Sequence, residues 1–298
     1  MKNIFKTIRK NKFCYLYLAP FFILFGIFVI APVVMAIILS FTSYNLTQPP
    51  QFVGIANYTA LFFSDTVFTK STVNTLTMAI VVGPFSYIGA LILAWALNEL
   101  SPKLRTALVF FIYAPSISGN AFIIWQLLFS GDQFGYINSL LLNWGLISEP
   151  IYFLFDTKYM MTVVIIVTMW MSMGTQFLSF VAGLQGLDHA LFEAGCIDGI
   201  RNRWQELWYI TLPQMAPQLL IGAVLTISGS FAIGAQCSAL TGFPSTDYST
   251  HTLVLHIQDY SNNRLEMGYA SAVAVVLFAI MILSWMVINK AIRNLSSE

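Results

Sequence analysis

Six stretches of this chain each run for more than twenty residues almost without charge: about 15–41, 73–97, 106–129, 159–181, 216–240 and 269–292. A hydrocarbon layer about 30 Å thick is crossed by roughly 20 apolar residues in helical form, so each stretch is long enough to cross it. In lipid every backbone N–H and C=O must find its partner within the protein, and spans of this length meet that demand as helices, not as barrel strands. The expected fold is therefore an all-α integral membrane protein with six transmembrane helices. Charge supports the reading: 9% of residues are charged, against about 25% in soluble domains. Pro20 and Pro32 lie inside the first stretch and mark expected kinks. The segment 134–148 is apolar but short and reads as an interfacial or re-entrant helix. The first stretch far exceeds the roughly 7–15 apolar residues of a cleavable signal, so it reads as a retained span after a cytoplasmic segment 1–12.

The basic residues orient these spans. With the N-terminus inside, Lys2, Lys6, Arg9, Lys10, Lys12, Lys103, Arg105, Arg201, Arg203, Lys290 and Arg293 fall on the cytoplasmic side, and only Lys70, Lys158 and Arg264 fall outside. Such a bias places both termini and the connection 186–213 in the cytoplasm. No basic field suits nucleic acid. Cys14, Cys196 and Cys237 lack metal-type spacing and read as small apolar residues. His189, His251 and His256 read as solvated loop residues.

Several chemistries have no motif here. The chain contains no G-x-x-x-x-G-K-[ST] phosphate loop, no H-E-x-x-H and no G-x-S-x-G, so neither a phosphate-loop ATPase nor those hydrolases are encoded. The span interiors are nearly free of ionisable side chains, with Glu99 at the inner end of the second. A proton- or ion-coupled transporter places carboxylates or histidines at mid-membrane.

The connection 186–213 concentrates charge in an otherwise charge-starved chain. It reads as a helix capped by Asp188, a turn at Asp198-Gly199, and a second helix that ends before Pro213. Its pattern Glu193-Ala194-Gly195-x-x-Asp198-Gly199, followed by Ile210-x-Leu212-Pro213, resembles the cytoplasmic "EAA" loop of ABC importer permeases. The Leu-x-Gly-Leu before it and the Trp204-Gln205 within it are similar to the carbohydrate-uptake branch, of the type of the large membrane subunit of the maltose transporter. The third motif position, usually Ala, is Gly195, and the position after Gly199, usually Ala, is Ile200. Phe52-Val53-Gly54-Ile55-Ala56-Asn57-Tyr58 resembles the family's first external loop, and Leu240-Thr241-Gly242-Phe243-Pro244 its segment after the fifth span.

The resemblance implies a type I importer bundle in the bacterial inner membrane, crossing it several times. It implies that Glu193, Ala194, Gly195, Asp198, Gly199, Leu212 and Pro213 couple to an ATPase. The implied partners are a second homologous permease, two ATPase subunits, an extracellular solute-binding protein and membrane lipid. ATP and Mg would bind the ATPase subunits, with no cofactor, metal site or catalytic residue in this chain. A sugar needs neutral hydrogen-bonding groups and aromatic faces. The fourth span offers Trp170, Ser172, Thr175 and Gln176, and the fifth offers Thr226, Ser228, Ser230 and Gln236. Trp170, Ser172, Thr175, Gln176, Thr226 and Ser230 are the expected substrate path. An importer permease for a different solute, or an integral-membrane enzyme, stands as the alternative.

Overall fold

Apolar side chains at nearly every turn leave the backbone of this chain to bond with itself, and helices result almost throughout. The computed structural model describes residues 12–118 and 122–295. The expected segment 1–12 therefore lies, apart from Lys12, outside the described residues. The chain divides into two compact units. One holds the described residues up to Ser64 together with Ile257–Val276, and the other holds Asp65–His256 and the described residues from Leu277.

In the first unit, α1 (Lys12–Phe25) passes through a π-turn at Gly26–Ile30 into α2 (Ala31–Leu39). The departure from α-bonding falls between the two expected proline kinks. Pro32 has no N–H to donate, and a widened turn is one way a helix absorbs that loss. Of the side chains described along Leu16–Leu39, none is buried. Two short strands, β1 (Thr42–Ser43) and β2 (Gln51–Phe52), pair antiparallel with Thr42 opposite Phe52, a hairpin that the all-α expectation lacked. Asn57 makes it possible. Its Nδ2 donates to Ser40 O at 2.8 Å and Thr42 O at 2.9 Å, from the start of α3 (Ala56–Phe63).

The second unit begins with α4 (Thr66–Asn98), whose first turn is capped by Asp65 accepting from the Phe68 amide at 2.8 Å. There follow α5 (Pro102–Ile117), α6 (Phe122–Leu128), α7 (Tyr136–Asn143) and α8 (Thr157–Gln185). Next come α9 (His189–Ile197), α10 (Arg203–Glu206), a π-turn at Leu207–Thr211, and α11 (Leu212–Gln214). The chain continues through α12 (Ala216–Phe231), α13 (Ala235–Thr241), α14 (Leu253–Gln258) and α15 (Met267–Leu295).

Four helical stretches are long and apolar enough to cross a membrane: Leu16–Leu39, Thr66–Asn98, Thr157–Gln185 and Met267–Val287. Counting Arg203–Gln214 with Ala216–Phe231, bent by 79°, makes five. The expected third span is interrupted after Ile117, and the expected fifth between Phe231 and Ala235. At the second break Thr252 Oγ1 donates to Ile233 O at 2.8 Å, so the freed carbonyl is bonded inside the protein.

Two apolar cores show how the helices run. At one end Met78 and Val82 of α4 pack with Val163, Val164 and Val167 of α8 and with Ile233, Cys237 and Leu240. At the other, Ala90, Ala94 and Leu97 of α4 pack with Phe177, Phe180 and Leu184 of α8 and with Met215. α4 and α8 are therefore parallel neighbours, and 216–241 runs the opposite way. The described residues of 102–128, in α5 and α6, also run opposite to α4. Leu108, Val109 and Ile112 lie against the second core, and Phe122, Trp125 and Leu128 against the first.

His251 and His256 are both buried, 1% exposed, which corrects their reading as solvated residues. Asn74 Nδ2 holds the 248–251 backbone at Tyr248 O and His251 O, 3.0 and 2.9 Å away, and His256 Nε2 lies 3.0 Å from Asp65 Oδ2. The segment folds onto the start of α4, a tertiary contact with no local signature.

Candidate functional site

The charged connection is built from caps and one left-handed glycine. Asp188 accepts from the Ala190 amide at 3.0 Å and starts α9. α9 ends at Asp198, and Gly199 turns the chain at φ +96°, a conformation that favours glycine. The Ile200 amide closes the turn by donating to Gly195 O at 2.9 Å. Asn202 then caps α10 by accepting from the Gln205 amide, and Gln205 Oε1 accepts from the Arg201 amide at 2.8 Å. The second helix does not end before Pro213. It passes through the π-turn and continues to Gln214, with the bend at Met215. Pro213 follows directly on the π-turn, in which the Leu212 amide donates to Leu207 O, and such a widened turn is one way a helix absorbs a missing N–H.

Glu193, Ala194, Asp198, Gly199 and Pro213 are exposed, Leu212 is half-buried and Gly195 is buried. A Cβ on Gly195 would sit 2.7 Å from Ile210 Cδ1 and 3.1 Å from Ile200 Cδ1. The two motif departures thus meet in space: glycine at 195 makes room for the isoleucine at 200.

Two contacts tie this connection to the end of α4. Arg203 Nε lies 3.2 Å from Glu99 Oε1, while its Nη1 lies 2.9 Å from Glu206 Oε2. The hydrogen bond to Glu206 pushes the Arg203 guanidinium further toward its charged form, with the Glu206 and Glu99 charges adding to it. The Trp204 and Trp95 rings stand 5.3 Å apart.

Between α4, α8, α12 and the start of α13 lies a cavity of about 260 Å³. Thr168, Ser172 and Gln176 line it from α8, four residues apart and hence on one helix face. Thr226, Gly229 and Ser230 line it from α12, and Val82 and Gly83 from α4. Thr226 Oγ1 lies 2.6 Å from Gln176 Oε1 and 2.8 Å from Gly222 O, sharing its one proton between them. Ser230 donates to Ile227 O, and Ser172 Oγ lies 2.7 Å from Ser86 Oγ. Among the described residues, Gln176 Nε2 and Thr168 Oγ1 are buried without a hydrogen-bond partner. Leaving such groups unmade costs about 1–3 kcal/mol each unless water or a ligand satisfies them. The lining carries no charged side chain among the described residues.

Of the residues expected on a substrate path, Ser172, Gln176, Thr226 and Ser230 come together here. Trp170 is on another face of α8, exposed and outside this lining. The side chain of Thr175 lies outside what the structure describes. Thr168, Gly83 and Gln236 also line the cavity. Thr168 was open to discovery as the next step of the stripe Ser172, Gln176, whereas Gly83 carries no chemical signal.

No protein-family model matches the chain. It is 31% identical over 292 residues to the probable ABC transporter permease protein YesP of Bacillus subtilis, covering 96% of this chain and 92% of that one. It is 30% identical over 280 residues to the lactose transport system permease protein LacF of Rhizobium radiobacter, covering 91% of each. Its fold matches a chain of a bacterial ABC transporter that imports the acidic polysaccharide alginate, with TM-score 0.78 and 23% identity over 98% of this chain and 99% of that one. With those lengths and likenesses, and with the capped Glu-Ala-Gly turn already in view, this chain belongs to the family of ABC transporter permeases that includes sugar-import permeases.

Proposed function

We propose that this chain is one of two membrane-spanning halves of a binding-protein-dependent importer for a neutral sugar or oligosaccharide, driven by ATP hydrolysis on separate subunits. The observation that carries the reading is the uncharged cavity with a buried amide and hydroxyl left unsatisfied. Sugar hydroxyls are neutral, and each offers both a donor and an acceptor, which suits Gln176 Nε2 and Thr168 Oγ1. An acidic solute would call for basic groups, and the cavity lining has none among the described residues.

The reading includes six crossings. α4 and α8 run in parallel, so the chain between them must return, and 102–128 is the apolar stretch available for that return. The stretch 216–241 makes the fifth crossing. The basic residues Lys103, Arg105, Arg201 and Arg203 then share one side, which is the cytoplasmic side by the excess of Lys and Arg. Both termini fall there too.

The coupling follows from connectivity. Two ATPase subunits, which hold ATP and Mg, engage the exposed face of α9 and supply the energy. A displacement of α9 reaches α12 through Met215 and reaches α4 through Arg203 and Trp204. α4 and α12 both wall the cavity, so one movement at the loop shifts two of its sides and alternates its access. An external binding protein delivers the solute to the outer mouth, and a second permease completes the path. The test is the complete transporter reconstituted with its binding protein. Q176A and S230A should each lower sugar uptake with the assembly intact. Unchanged uptake in both variants, or a chain that purifies without any ATPase, would overturn the proposal.

A further inference from the structure

The segment Arg203–Gln214 meets α12 at 79°. One side of it is committed to the chain, since Leu207, Ile210 and Thr211 are buried. The other side carries Trp208 and Tyr209, 65% and 73% exposed, and Trp204, which is 60% exposed while one part of its ring meets Trp95 of α4. Trp204 and Trp208 are four apart and share a helix face, with Tyr209 beside them. Aromatic rings with a polar tip concentrate at the membrane–water boundary, where the ring leaves water and the N–H or O–H stays wet.

The direction of the segment places this face. Where α12 crosses the bilayer, a helix joined to its first residue at 79° lies close to the membrane plane, at headgroup depth. Exposed Arg201 stands just before the segment and adds the positive charge that anionic inner-leaflet lipids attract. An amphipathic helix of this kind lies in the interface with its apolar face toward the acyl boundary. We propose that Trp204, Trp208 and Tyr209 seat the coupling segment in the headgroup layer of the cytoplasmic leaflet, so that the lipid surface fixes the depth of the lever. An importer lever anchored this way pivots on the membrane and does not float in the cytoplasm.

This inference rests on the reading that α12 and its neighbours span the bilayer, and its test separates the two. The assembled transporter is prepared with 5-fluorotryptophan in this permease, in nanodiscs of phosphatidylcholine and phosphatidylglycerol. One sample carries nitroxide labels on lipid headgroups, and another carries them at mid-chain. The fluorine line missing from W208F identifies Trp208, and W208Y serves if W208F does not assemble. The expected result is loss of the Trp208 line with headgroup labels and its survival with mid-chain labels. Exposed Trp170 on α8 and Trp285 on α15 report the spanning reading separately, through loss of at least one line with mid-chain labels. Survival of the Trp208 line with both labels overturns the anchoring even if the spans are confirmed. Loss only after the ATPase subunits are stripped away shows that those subunits cover the face, and overturns it as well.

Discussion

The connection between α8 and α12 and the cavity between α4, α8 and α12 treat their polar groups in opposite ways. In the connection Asp188, Asn202 and Gln205 each accept a backbone N–H within a few residues. Its shape holds with nothing bound. In the cavity Gln176 Nε2 and Thr168 Oγ1 are buried and unsatisfied among the described residues. Under the proposed function the connection transmits force, and such a part gains from being complete in itself. Under the same proposal the cavity receives a passing solute, and such a part gains from hydrogen-bonding capacity left open. Both are built on the same helices, so perturbing one region should leave the signature of the other unchanged.

The largest expected effect lies in the connection, at Gly195. Valine there would overpack the buried contact with Ile210 and Ile200, at about 1–3 kcal/mol. G195V should therefore uncouple ATP hydrolysis from uptake while sugar binding to the cavity persists. G195A is the sharper variant. Alanine favours helix over glycine by about 1 kcal/mol, yet its Cβ would stand 2.7 Å from Ile210 Cδ1. I200A opens the space into which Ile210 could move. Sugar transported per ATP should fall in G195A and recover in G195A/I200A. Equal losses in the two variants would show that residues 195 and 200 are not a matched pair.

The cavity answers next, with the opposite sign on stability. Q176L removes an unpaired amide, and Thr226 keeps Gly222 O as its acceptor. Deleting a buried unsatisfied donor should stabilise the fold by about 1 kcal/mol, and losing one hydrogen bond to the sugar should weaken its binding roughly fivefold. Thermal unfolding and uptake measured on the same preparation should move in opposite directions. A variant that loses both would place Gln176 in the packing and not in the path.

The contrast between the two regions also explains what could be read in advance. The Asp188 cap and the Asp198-Gly199 turn are local, so residue type and spacing carried them into the structure unchanged. The stripe Ser172, Gln176 on α8 and the pair Thr226, Ser230 on α12 were legible as helical faces. Their meeting was not, because it depends on how α4, α8 and α12 pack. An apolar run reveals its length but not where helical bonding stops. The breaks after Ile117 and Phe231 were therefore invisible, and the end of the loop's second helix was misplaced by Pro213, which the π-turn just before it accommodates. His251 and His256 looked like loop residues because burial by a distant helix leaves no mark on their neighbours.

Two smaller perturbations bracket the connection's self-sufficiency. D188A removes the cap of α9 and should cost about 1 kcal/mol, seen as faster amide exchange over residues 189–192, with D188N largely restoring protection. The tie from Arg203 to Glu99 is weaker still. Both side chains are substantially exposed, at 59% and 42%, and exposed pairs contribute about 0–1 kcal/mol because water screens them. Stability is therefore the wrong readout. Their geometric role is to make the end of α4 follow the loop. R203E and E99R alone should each leave the unfolding temperature nearly unchanged and lower the stimulation of ATP hydrolysis by loaded binding protein. R203E also sets like charge against Glu206, so the swap E99R/R203E should recover stimulation in part. Recovery in the swap means that the charge pair carries motion from α9 to the cavity wall on α4. Wild-type stimulation in both single variants means that the path through Met215 to α12 suffices, and the lever then has one arm instead of two.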